Sequence, residues 1–416
     1  DEIVARIRKI ESERIPTVVL AGHNCNPFVS LKTAERMLQA GTEYLVGFIT
    51  AEDVSAETIG DYVEQFLGPL CDLCLRYGSK KVVIKNKVLW WLDGPAMEAV
   101  YDNLFATPRR NVIVAATEES IARWSETNLM GRLGLYCAGL VSGMKVGVIR
   151  DMFTPNYFHE CEYPRSGHSF LRMLVAHTVA GCSSFRLAIS DRITEGSSTG
   201  EAVRYNRLGR ESTELFLHLL GKGIVFPPTP DRMVNICPLG LVMHPPTEQW
   251  LANAHNNHRP WEAREDEETL NGIYSRLHCG WGHAPLPDFA FSRIAFGKRR
   301  VYDGMVPATP YGHVLMVPCH CDRSRIPAVA DWWHTDGIYI WHEDGPRLLG
   351  APAGQALKAS LESAAERLSL RSIGDDVFYQ LVRMGETAYR LFVVDSGCLD
   401  PDDRAAAFDV NLPGAW

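Results

Sequence analysis

Short, continuous apolar runs rich in β-branched residues recur through the first half of the chain, and a stretch of helical periodicity follows each one. A strand that is buried on both faces has apolar residues at every position, whereas a half-exposed strand alternates apolar and polar residues. The pattern therefore predicts a parallel sheet that is covered by helices. The runs are residues 17–21, 44–49, 81–84, 111–115, 146–149 and 184–189.

Apolar residues at three- and four-residue spacing mark the segments between these runs as helices. Strand and helix alternate about six times, and we predict an α/β fold with a (β/α) barrel over residues 1–225. A complete barrel of eight units needs about 250 residues, whereas an open doubly wound sheet would need fewer. The chain opens in a helical pattern, so a further strand could precede residue 1, and residues 134–138 supply another strand or a helix. The helical segments are residues 31–40, 56–77, 96–105, 118–128 and 170–180.

A glycine- and proline-rich stretch, residues 221–230, marks the predicted end of the barrel. Residues 226–372 are predicted to form a smaller α/β domain, and residues 373–416 a terminal set of antiparallel β-strands. The smaller domain has predicted strands at 233–243, 289–296, 313–317 and 337–341, with helices at 247–255, 267–278 and 353–368. The terminal strands are predicted at 377–384, 389–394 and 405–411.

Charge and hydropathy exclude several classes of partner. The net charge of -8 argues against binding of nucleic acid or of an anionic membrane, because both need clustered Lys and Arg in excess. The longest apolar stretch, residues 133–141, is far shorter than the roughly 20 residues of a membrane helix. The first residues are amphipathic rather than signal-like, and many of the 11 cysteines lie inside apolar runs, which slightly favours the cytoplasm over the periplasm or the exterior. A homo-oligomer is compatible with these bounds.

Polar residues directly after the apolar runs are the candidates for a functional site, because a parallel barrel binds its ligands at the carboxyl ends of the strands. They belong to five different runs. The candidates are His23, Asn24, Asn26, Lys85, Asn86, Lys87, Trp90, Trp91, Asp93, Glu118, Glu119, Arg150, Asp151, Asp191 and Arg192.

Two carboxyl groups at such strand ends are the predicted catalytic residues. Glycosidic cleavage needs one acid to protonate the leaving oxygen and a second carboxylate that acts as nucleophile or activates water. We predict Glu119, or its neighbour Glu118, as the acid and Asp151 as the base or nucleophile. Asp151 stands between apolar neighbours, where an unpaired carboxylate is costly. The alternative for Glu118 and Glu119 is that they only enrich the first turn of a helix, where carboxylates complement the dipole.

The substrate-binding residues are predicted from side chains that suit sugars. Trp90 and Trp91 offer flat apolar surfaces for stacking on sugar rings, with core packing as the alternative. Lys85 and Lys87 would suit an anionic substrate such as a sulfated or uronic sugar. His23, Asn24 and Arg150 follow other strands, and His159 and His168 lie in a polar loop that is predicted to be a lid or subsite wall. A carbohydrate is therefore the predicted partner, as substrate.

No motif indicates a metal or a cofactor, and we predict none. Residues 159–168 contain His159, Cys161 and His168, but their spacing matches no standard zinc pattern. The isolated pair Cys71 and Cys74 lies inside a helical pattern, and residues 319–321 have no accompanying pair. Phosphate-loop, dinucleotide and G-x-S-x-G signatures are absent from the sequence.

The barrel strands with acids at their ends, the Trp pair, the second α/β domain after a Pro-rich hinge and the terminal β piece together resemble multi-domain glycoside hydrolases of the β-galactosidase type. The resemblance implies a second domain that is flavodoxin- or amidotransferase-like. In such enzymes the acid Glu often follows an Asn after the fourth strand. Here Ala116 and Thr117 precede Glu118, which leaves an inverting mechanism open.

The sequence thus predicts a glycoside hydrolase that acts on an oligo- or polysaccharide, with a two-carboxylate mechanism. Two alternatives stay open at this point. One is a metal-dependent barrel hydrolase or isomerase of a small molecule, which would use His23, Asp151, His159 and His168. The other is a non-catalytic carbohydrate-binding protein.

Overall fold

The computed structural model describes residues 2–53, 58–86, 90–118, 124–147, 168–186, 193–195, 204–245, 311–337, 339–348, 351–364, 368, 370–372, 377–395 and 407–412. The strands are β1 (Thr17–His23), β2 (Asn26–Pro27), β3 (Leu45–Ala51), β4 (Lys81–Asn86), β5 (Ile113–Glu118), β6 (Gly143–Gly147), β7 (Cys182–Arg186), β8 (Thr194–Glu195), β9 (Arg204–Tyr205), β10 (Ile236–Met243), β11 (His313–Pro318), β12 (Asp331–Thr335), β13 (Ile340–His342), β14 (Leu370–Ser372), β15 (Val377–Arg383), β16 (Tyr389–Asp395) and β17 (Phe408–Val410).

Helices connect most of these strands. The α-helices are α1 (Glu2–Glu13), α2 (Leu31–Ala40), α3 (Ile59–Tyr62), α4 (Gly68–Arg76), α5 (Trp90–Asp93), α6 (Glu98–Val100), α7 (Trp124–Cys137), α8 (His168–Val179), α9 (Arg207–Gly209), α10 (Leu215–Gly221) and α11 (Ala351–Ala364). Short π-helical segments continue α3, α6 and α9, at Val63–Leu67, Tyr101–Phe105 and Arg210–Glu214. Single 3₁₀ turns lie at Gly94–Ala96, Pro108–Asn111, Pro230–Arg232 and Arg323–Arg325.

The first seven strands form one sheet in the order β2-β1-β3-β4-β5-β6-β7. All neighbours from β1 to β7 are parallel, and only the short β2 folds back as an antiparallel hairpin on β1. Sequential order with helical crossovers is the arrangement of a barrel wall. Within the described residues no ladder joins the two edges of this sheet, so the closed barrel stays a prediction.

The two faces of the first sheet differ in character. Val82 and Ile84 of β4 point to the helical side and pack in the main core with residues of α1, α2 and α4. Val83 points the other way and forms a small cluster with Val114 and Ala116 of β5. Because strand side chains alternate between faces, this second face is the inner wall of the predicted barrel, and it has room for polar groups.

The second sheet has the order β11-β10-β12-β13. Its central strand β10 is parallel to both β11 and β12, and β13 is antiparallel to β12. Every residue of β10 and β11 is buried. Helix α11 packs against one face through Leu357 and Leu361, which share a cluster with Leu241 and Met243. The mixed α/β character that the sequence predicts for this part is therefore present, although β12 was not predicted.

Helix α7 joins the two sheets, and two of its glycines allow the contact. A Cβ atom at Gly134 would lie 1.9 Å from the carbonyl oxygen of Met316 in β11, and one at Gly131 would lie 2.3 Å from that of Trp91. Such distances are impossible for real atoms, so only glycine fits at either position. The main core accordingly contains Leu133 of this helix together with Leu315 of the second sheet. The predicted domain division near residue 225 stays a prediction.

A buried polar network attaches the terminal hairpin β15–β16 to the second sheet. The Gln380 side chain of β15 donates to Asn235 Oδ1 over 2.7 Å, and its Oε1 is hydrogen-bonded to His313 Nε2 of β11. Asn235 also donates to the carbonyl of Tyr379. Buried polar groups are tolerated only when they are bonded, so this network specifies one position for the hairpin.

Most elements lie within a few residues of their predicted bounds, with one correction that affects the site. Glu118 was predicted to begin a helix, but it is the last residue of β5, and the helix begins at Trp124. Of residues 134–138, for which a strand or a helix was predicted, the first four belong to that helix and Ala138 lies in the turn after it. The strand predicted at 289–296 and the helices predicted at 247–255 and 267–278 lie outside the described residues. None of the described helices is long and apolar enough to cross a membrane.

Candidate active site at the carboxyl ends of the first sheet

One register row of the first sheet carries three of its basic side chains. His23 of β1 pairs with Ala51 of β3, Ala51 with Lys85 of β4, Lys85 with Ala116 of β5, and Ala116 with Lys145 of β6. Residues in one row of a parallel sheet share a level, and alternation places them on one face. The small Ala51 and Ala116 separate the larger side chains and leave open space between them.

A cavity of about 460 Å³ opens along this row. The apolar floor comes from earlier positions of the same strands, and the polar residues stand nearer the strand ends. Its lining residues are Val18, Leu20, His23, Ile49, Ala51, Glu52, Lys85 and Lys145. Lys85 is only 6% exposed. An apolar pocket with a few convergent polar groups is the usual form of a ligand site.

His23 and Glu52 meet at the mouth of the cavity. His23 Nε2 lies 3.7 Å from Glu52 Oε2, and the imidazole stacks beside Phe28 with 6.4 Å between ring centroids. Glu52 directly follows β3, and its N–H donates to the carbonyl of Lys85 over 2.9 Å. The cavity therefore contains one carboxylate, one imidazole and two amines, which are groups that can orient a polar substrate and transfer protons.

The backbone around these side chains is strained. Asn24, Cys25 and Glu52 have φ angles of 52°, 57° and 57°, in the left-handed region that residues other than glycine seldom adopt. All three lie just beyond the carboxyl ends of β1 and β3, next to His23. Residues held in sparsely populated conformations cost about 1–3 kcal/mol each and concentrate at functional sites. The strain is thus an independent indication of a site at this edge.

Asp53 fixes the loops behind the cavity. Its carboxylate Oδ1 accepts from the N–H of Cys25 over 2.9 Å, and its own N–H donates to Asn86 Oδ1 over 2.8 Å. The side chain is fully buried, and burial raises the pKa of the carboxyl to about 6 although the Cys25 N–H opposes this shift. Asp53 thereby ties together the ends of β1, β3 and β4.

Tyr62 of α3 packs against the end of β1 from the helical side of the sheet. Burial is the main cause that raises the pKa of its hydroxyl, with the charge of Asp53 as a further cause. A Cβ at Gly22 of β1 would lie 2.4 Å from this hydroxyl oxygen. A side chain at position 22 would therefore displace the Tyr62 hydroxyl, for which glycine leaves room.

The structure corrects the prediction that Trp90 and Trp91 form a sugar-stacking surface. Each is only 1% exposed, and the two indoles pack edge to face with 4.7 Å between centroids in the main core. Trp91 Nε1 donates to the carbonyl of Ala116 over 2.7 Å. All four residues of this short helix are buried, so both rings are internal, and Trp91 supports β5 rather than a ligand.

The remaining predicted residues divide between the cavity edge and the undescribed parts of the chain. Asn24 is exposed in the turn after β1, where its N–H donates to the carbonyl of Ala51 over 2.9 Å. Glu118 ends β5 two residues beyond Ala116, and its backbone pairs with Gly147 of β6. His168 is the first residue of α8. The other predicted residues, Lys87, Glu119, Arg150, Asp151, His159, Asp191 and Arg192, lie outside the described residues.

Three residues of this site were not predicted from the sequence: Glu52, Asp53 and Lys145. Glu52 and Asp53 directly follow β3, so the rule of strand ends could have found them if the strand had been extended by two residues. Lys145 lies inside β6, and its place beside Lys85 depends on register between strands. No local signal in the sequence marks that neighbourhood.

The described residues contain no group of three or more His, Cys, Asp or Glu side chains that could hold a metal ion. Of the residues proposed for a metal-dependent enzyme, only His23 has a described side chain. Cys71 and Cys74 are free thiols buried in α4, and Cys319 and Cys321 are also free. Burial raises the pKa of the Cys74 thiol to about 12, which suits a core residue rather than a ligand.

Comparison with known proteins gives relatives of one kind. The family model of the lambda-carrageenase middle domain matches residues 1–325. The lambda-carrageenases of Pseudoalteromonas carrageenovora and of a further Pseudoalteromonas species are each 20% identical to this chain in an alignment of 414 residues, and the match covers 94% of this chain. The match takes in 41% of each relative, so the chain spans about two fifths of their length.

Solved structures share the fold. The catalytic module of a family 98 glycoside hydrolase from Streptococcus pneumoniae TIGR4 superposes with a TM-score of 0.58 at 10% identity, covering 95% of this chain and 61% of that chain. The same module in complex with the LewisY pentasaccharide blood group antigen gives a TM-score of 0.57 at 9% identity, with the same coverage. This likeness confirms a mixed α/β fold with a parallel sheet and helices. The findings agree with the predicted glycoside hydrolase, while the β-galactosidase-type layout stays a prediction.

Proposed function

Since the chain belongs to the lambda-carrageenase middle-domain family, we propose that it forms the sugar-cleaving part of a glycoside hydrolase whose substrate is an anionic polysaccharide. The relatives are named for carrageenan, an anionic polysaccharide. The observation that carries the proposal for this chain is the cavity with Lys85, Lys145 and His23 in one register row.

The two lysines give the cavity its preference for anions. Lys85 is almost completely buried, and Lys145 is half-buried two strands away. An ammonium group in a poorly hydrated wall interacts more strongly with a charged ligand than one at the surface does. A sulfate or carboxylate group on a sugar ring would be held between them, while the apolar floor of Leu20 and Ile49 would contact the C–H face of the ring.

Hydrolysis of the glycosidic bond then requires two carboxyl groups at the mouth of the cavity. Glu52 is one candidate, since it lines the cavity beside His23. Glu118 ends the neighbouring β5, and Glu119 and Asp151 follow β5 and β6 in the sequence. In this mechanism one of them protonates the leaving oxygen and another acts as nucleophile or activates water. The parallel sheet would close into a barrel around these residues.

The decisive experiment measures new reducing ends when the purified chain is incubated with carrageenan, with a uronic polysaccharide and with a neutral polysaccharide. We expect cleavage of the anionic substrates and none of the neutral one. Glu52→Gln, Glu118→Gln, Glu119→Gln and Asp151→Asn are each compared with the unaltered chain. Loss of a general acid or base should lower kcat by about 10²–10⁴-fold, so the two essential carboxyls stand out from the others.

Glu362→Gln is the matched control, because Glu362 is an exposed carboxylate of α11 that pairs with Lys358 on the same helix and does not line the cavity. It should leave activity unchanged. Saccharide binding without any cleavage would contradict a hydrolase and would indicate a non-catalytic binding module. Full activity in all four carboxyl variants would contradict the two-carboxylate mechanism at this edge.

A further inference from the structure

A second group of polar side chains lies at the carboxyl ends of the second sheet. The chain passes from β10 to β11 on one side and then crosses to β12 on the other, so the strand order reverses between β10 and β12. In open parallel sheets, ligands bind in the crevice beyond the carboxyl ends at such a reversal. His244 directly follows β10, and His334 lies one residue before the end of β12.

The two histidines form one unit with an aromatic ring. His244 Nε2 and His334 Nδ1 are 2.8 Å apart. Both imidazoles contact Trp341 of β13, with 5.2 Å and 5.8 Å between ring centroids. The guanidinium of Arg347 lies 4.5 Å from the same indole. One of its nitrogens is 2.9 Å from Asp336 Oδ2, which orients the group.

Charged groups of both signs surround this unit. Burial is the main cause that lowers the pKa of both imidazoles, and Arg323 lowers both further. The pKa of His244 is also lowered by Arg347 and His320. The pKa of His334 is also lowered by His244 and His342. Asp336, which already binds Arg347, acts in the opposite direction on His244. The nearby Asp331 is bonded to His342 over 2.7 Å. Both of these carboxylates are therefore already paired with a basic side chain.

Hydrogen-bond donors point away from the pair in every protonation state. In a neutral pair one imidazole donates to the other, so of the two outer nitrogens, His244 Nδ1 and His334 Nε2, one carries hydrogen and one is bare. Adding one proton turns both outer nitrogens into donors and keeps the internal bond. Among the described residues neither outer nitrogen has a hydrogen-bond partner, and Arg347 has none besides Asp336.

We propose that His244, His334, Trp341 and Arg347 form a second binding site, which takes an oxyanion carried by a saccharide and gains one proton when it is occupied. The saccharide source of the ligand rests on the proposed function, while the oxyanion chemistry rests on the cluster itself. A sulfate ester and a uronic carboxylate share this chemistry. An oxyanion accepts from one outer imidazole N–H and from the remaining guanidinium N–H groups, and its charge stabilises the added proton.

The test measures binding by titration calorimetry in the Lys85→Met/Lys145→Met variant, which removes the cations of the first cavity. The probes are short oligosaccharides from carrageenan, from a uronic polysaccharide and from a neutral polysaccharide, each in two buffers of different ionisation enthalpy. We expect anionic probes to bind, with proton uptake and with an affinity that rises from pH 8 to pH 6. The preferred anionic probe identifies sulfate or carboxylate as the source.

Two substitutions within the site test it more specifically. Arg347→Gln should weaken binding at least tenfold, and His334→Gln should remove the proton uptake. Arg371→Gln is the matched control, because Arg371 also lies 2.9 Å from one carboxylate, that of Asp409, but belongs to the terminal strands. The site is disproved if the Lys85→Met/Lys145→Met variant binds no anionic probe or binds neutral probes equally well. It is also disproved if Arg347→Gln binds the probes as Arg371→Gln does.

Folding of each variant is checked by its thermal midpoint, and an unfolded Arg347→Gln is replaced by Arg347→Lys, which keeps the charge but loses the planar donors. Failure of the proposed function gives a different result. A chain that cleaves nothing but binds anionic probes with proton uptake loses the hydrolase assignment and keeps this second site.

Discussion

Lys85 of β4 and Lys145 of β6 stand in the same register row, with only Ala116 of β5 between them. Neighbouring strands are about 4.8 Å apart, so two strand spacings, roughly 10 Å, separate their backbones. This distance suits a sugar ring that carries a negative group. Since the intervening residue is alanine, β5 places no long side chain between the two lysines at this level.

Removal of these amines should selectively impair anionic substrates. In Lys85→Met and Lys145→Met we expect KM for carrageenan to rise about tenfold or more, because each lysine contributes a charge-assisted bond worth about 1.5–3 kcal/mol. Initial rates over a range of substrate concentrations measure this change. Lys358→Met, which removes an exposed amine of α11, should leave KM unchanged, and an equal rise in that control would contradict a specific role.

Asp53 should make the fold less stable as pH rises. Its pKa in the folded protein is about 6, above the ordinary value of 3.8, so the folded state holds a proton that the unfolded state has lost. Stability therefore falls between about pH 4 and pH 6, by roughly 3 kcal/mol in all. Asp53→Asn, whose amide oxygen can still accept from Cys25, should flatten this dependence in denaturant unfolding at several pH values. The exposed Asp61→Asn is the control, and an unchanged slope in Asp53→Asn would count against the raised pKa.

Protonation of His313 should make the fold less stable as pH falls. Complete burial lowers its pKa to about 4 from 6.5, although the Gln380 hydrogen bond opposes the shift. The unfolded state therefore gains a proton first as pH falls, and stability is lost between about pH 6.5 and pH 4, by roughly 3 kcal/mol. His313→Gln should be about 1–3 kcal/mol less stable at pH 7 because the Gln380 bond is disturbed, yet lack this acid loss. Denaturant unfolding curves at pH 7 and pH 5 for both proteins measure these differences in the free energy of unfolding.

Gly134 should tolerate no side chain. Its Cβ would lie 1.9 Å from the Met316 carbonyl, so in Gly134→Ala we expect helix α7 to move away from β11, at a cost of roughly 1–3 kcal/mol or more. Gly60→Ala is the matched change, because that helical glycine has only one neighbour, 3.9 Å away, and alanine there should stabilise the fold by about 0.5–1 kcal/mol. Thermal midpoints measure both, and a neutral Gly134→Ala would disprove the tight contact.

The sequence predicts the strands of the first sheet well, because a strand buried on both faces must be apolar at every position. β1, β3, β4 and β5 begin within two residues of their predicted starts, and α2 has its predicted bounds. The same local signal could not find β12, where Asp331, His334 and Thr335 interrupt the apolar pattern. That strand is held by its pairing with β10 rather than by its own composition.

The site was predictable only in its location. The rule that ligands bind at the carboxyl ends of parallel strands selected His23 and Lys85, which line the cavity, because these residues are adjacent in sequence to the runs that form the strands. It could not assign Trp90 and Trp91, since an indole suits a core as well as a sugar, and the choice depends on whether other elements cover it. Here α7 and the second sheet pack over that region.

What the sequence determined by itself is therefore most of the elements and the edge of the sheet that carries the candidate site, since both depend on residues close together in the chain. Only the tertiary structure decided that Lys145 stands beside Lys85, that Glu52 meets His23, and that His244 meets His334 across 90 residues. Those neighbours depend on strand register and strand order. Both are set by the packing of helices and sheets over the whole fold, which no single stretch of sequence encodes.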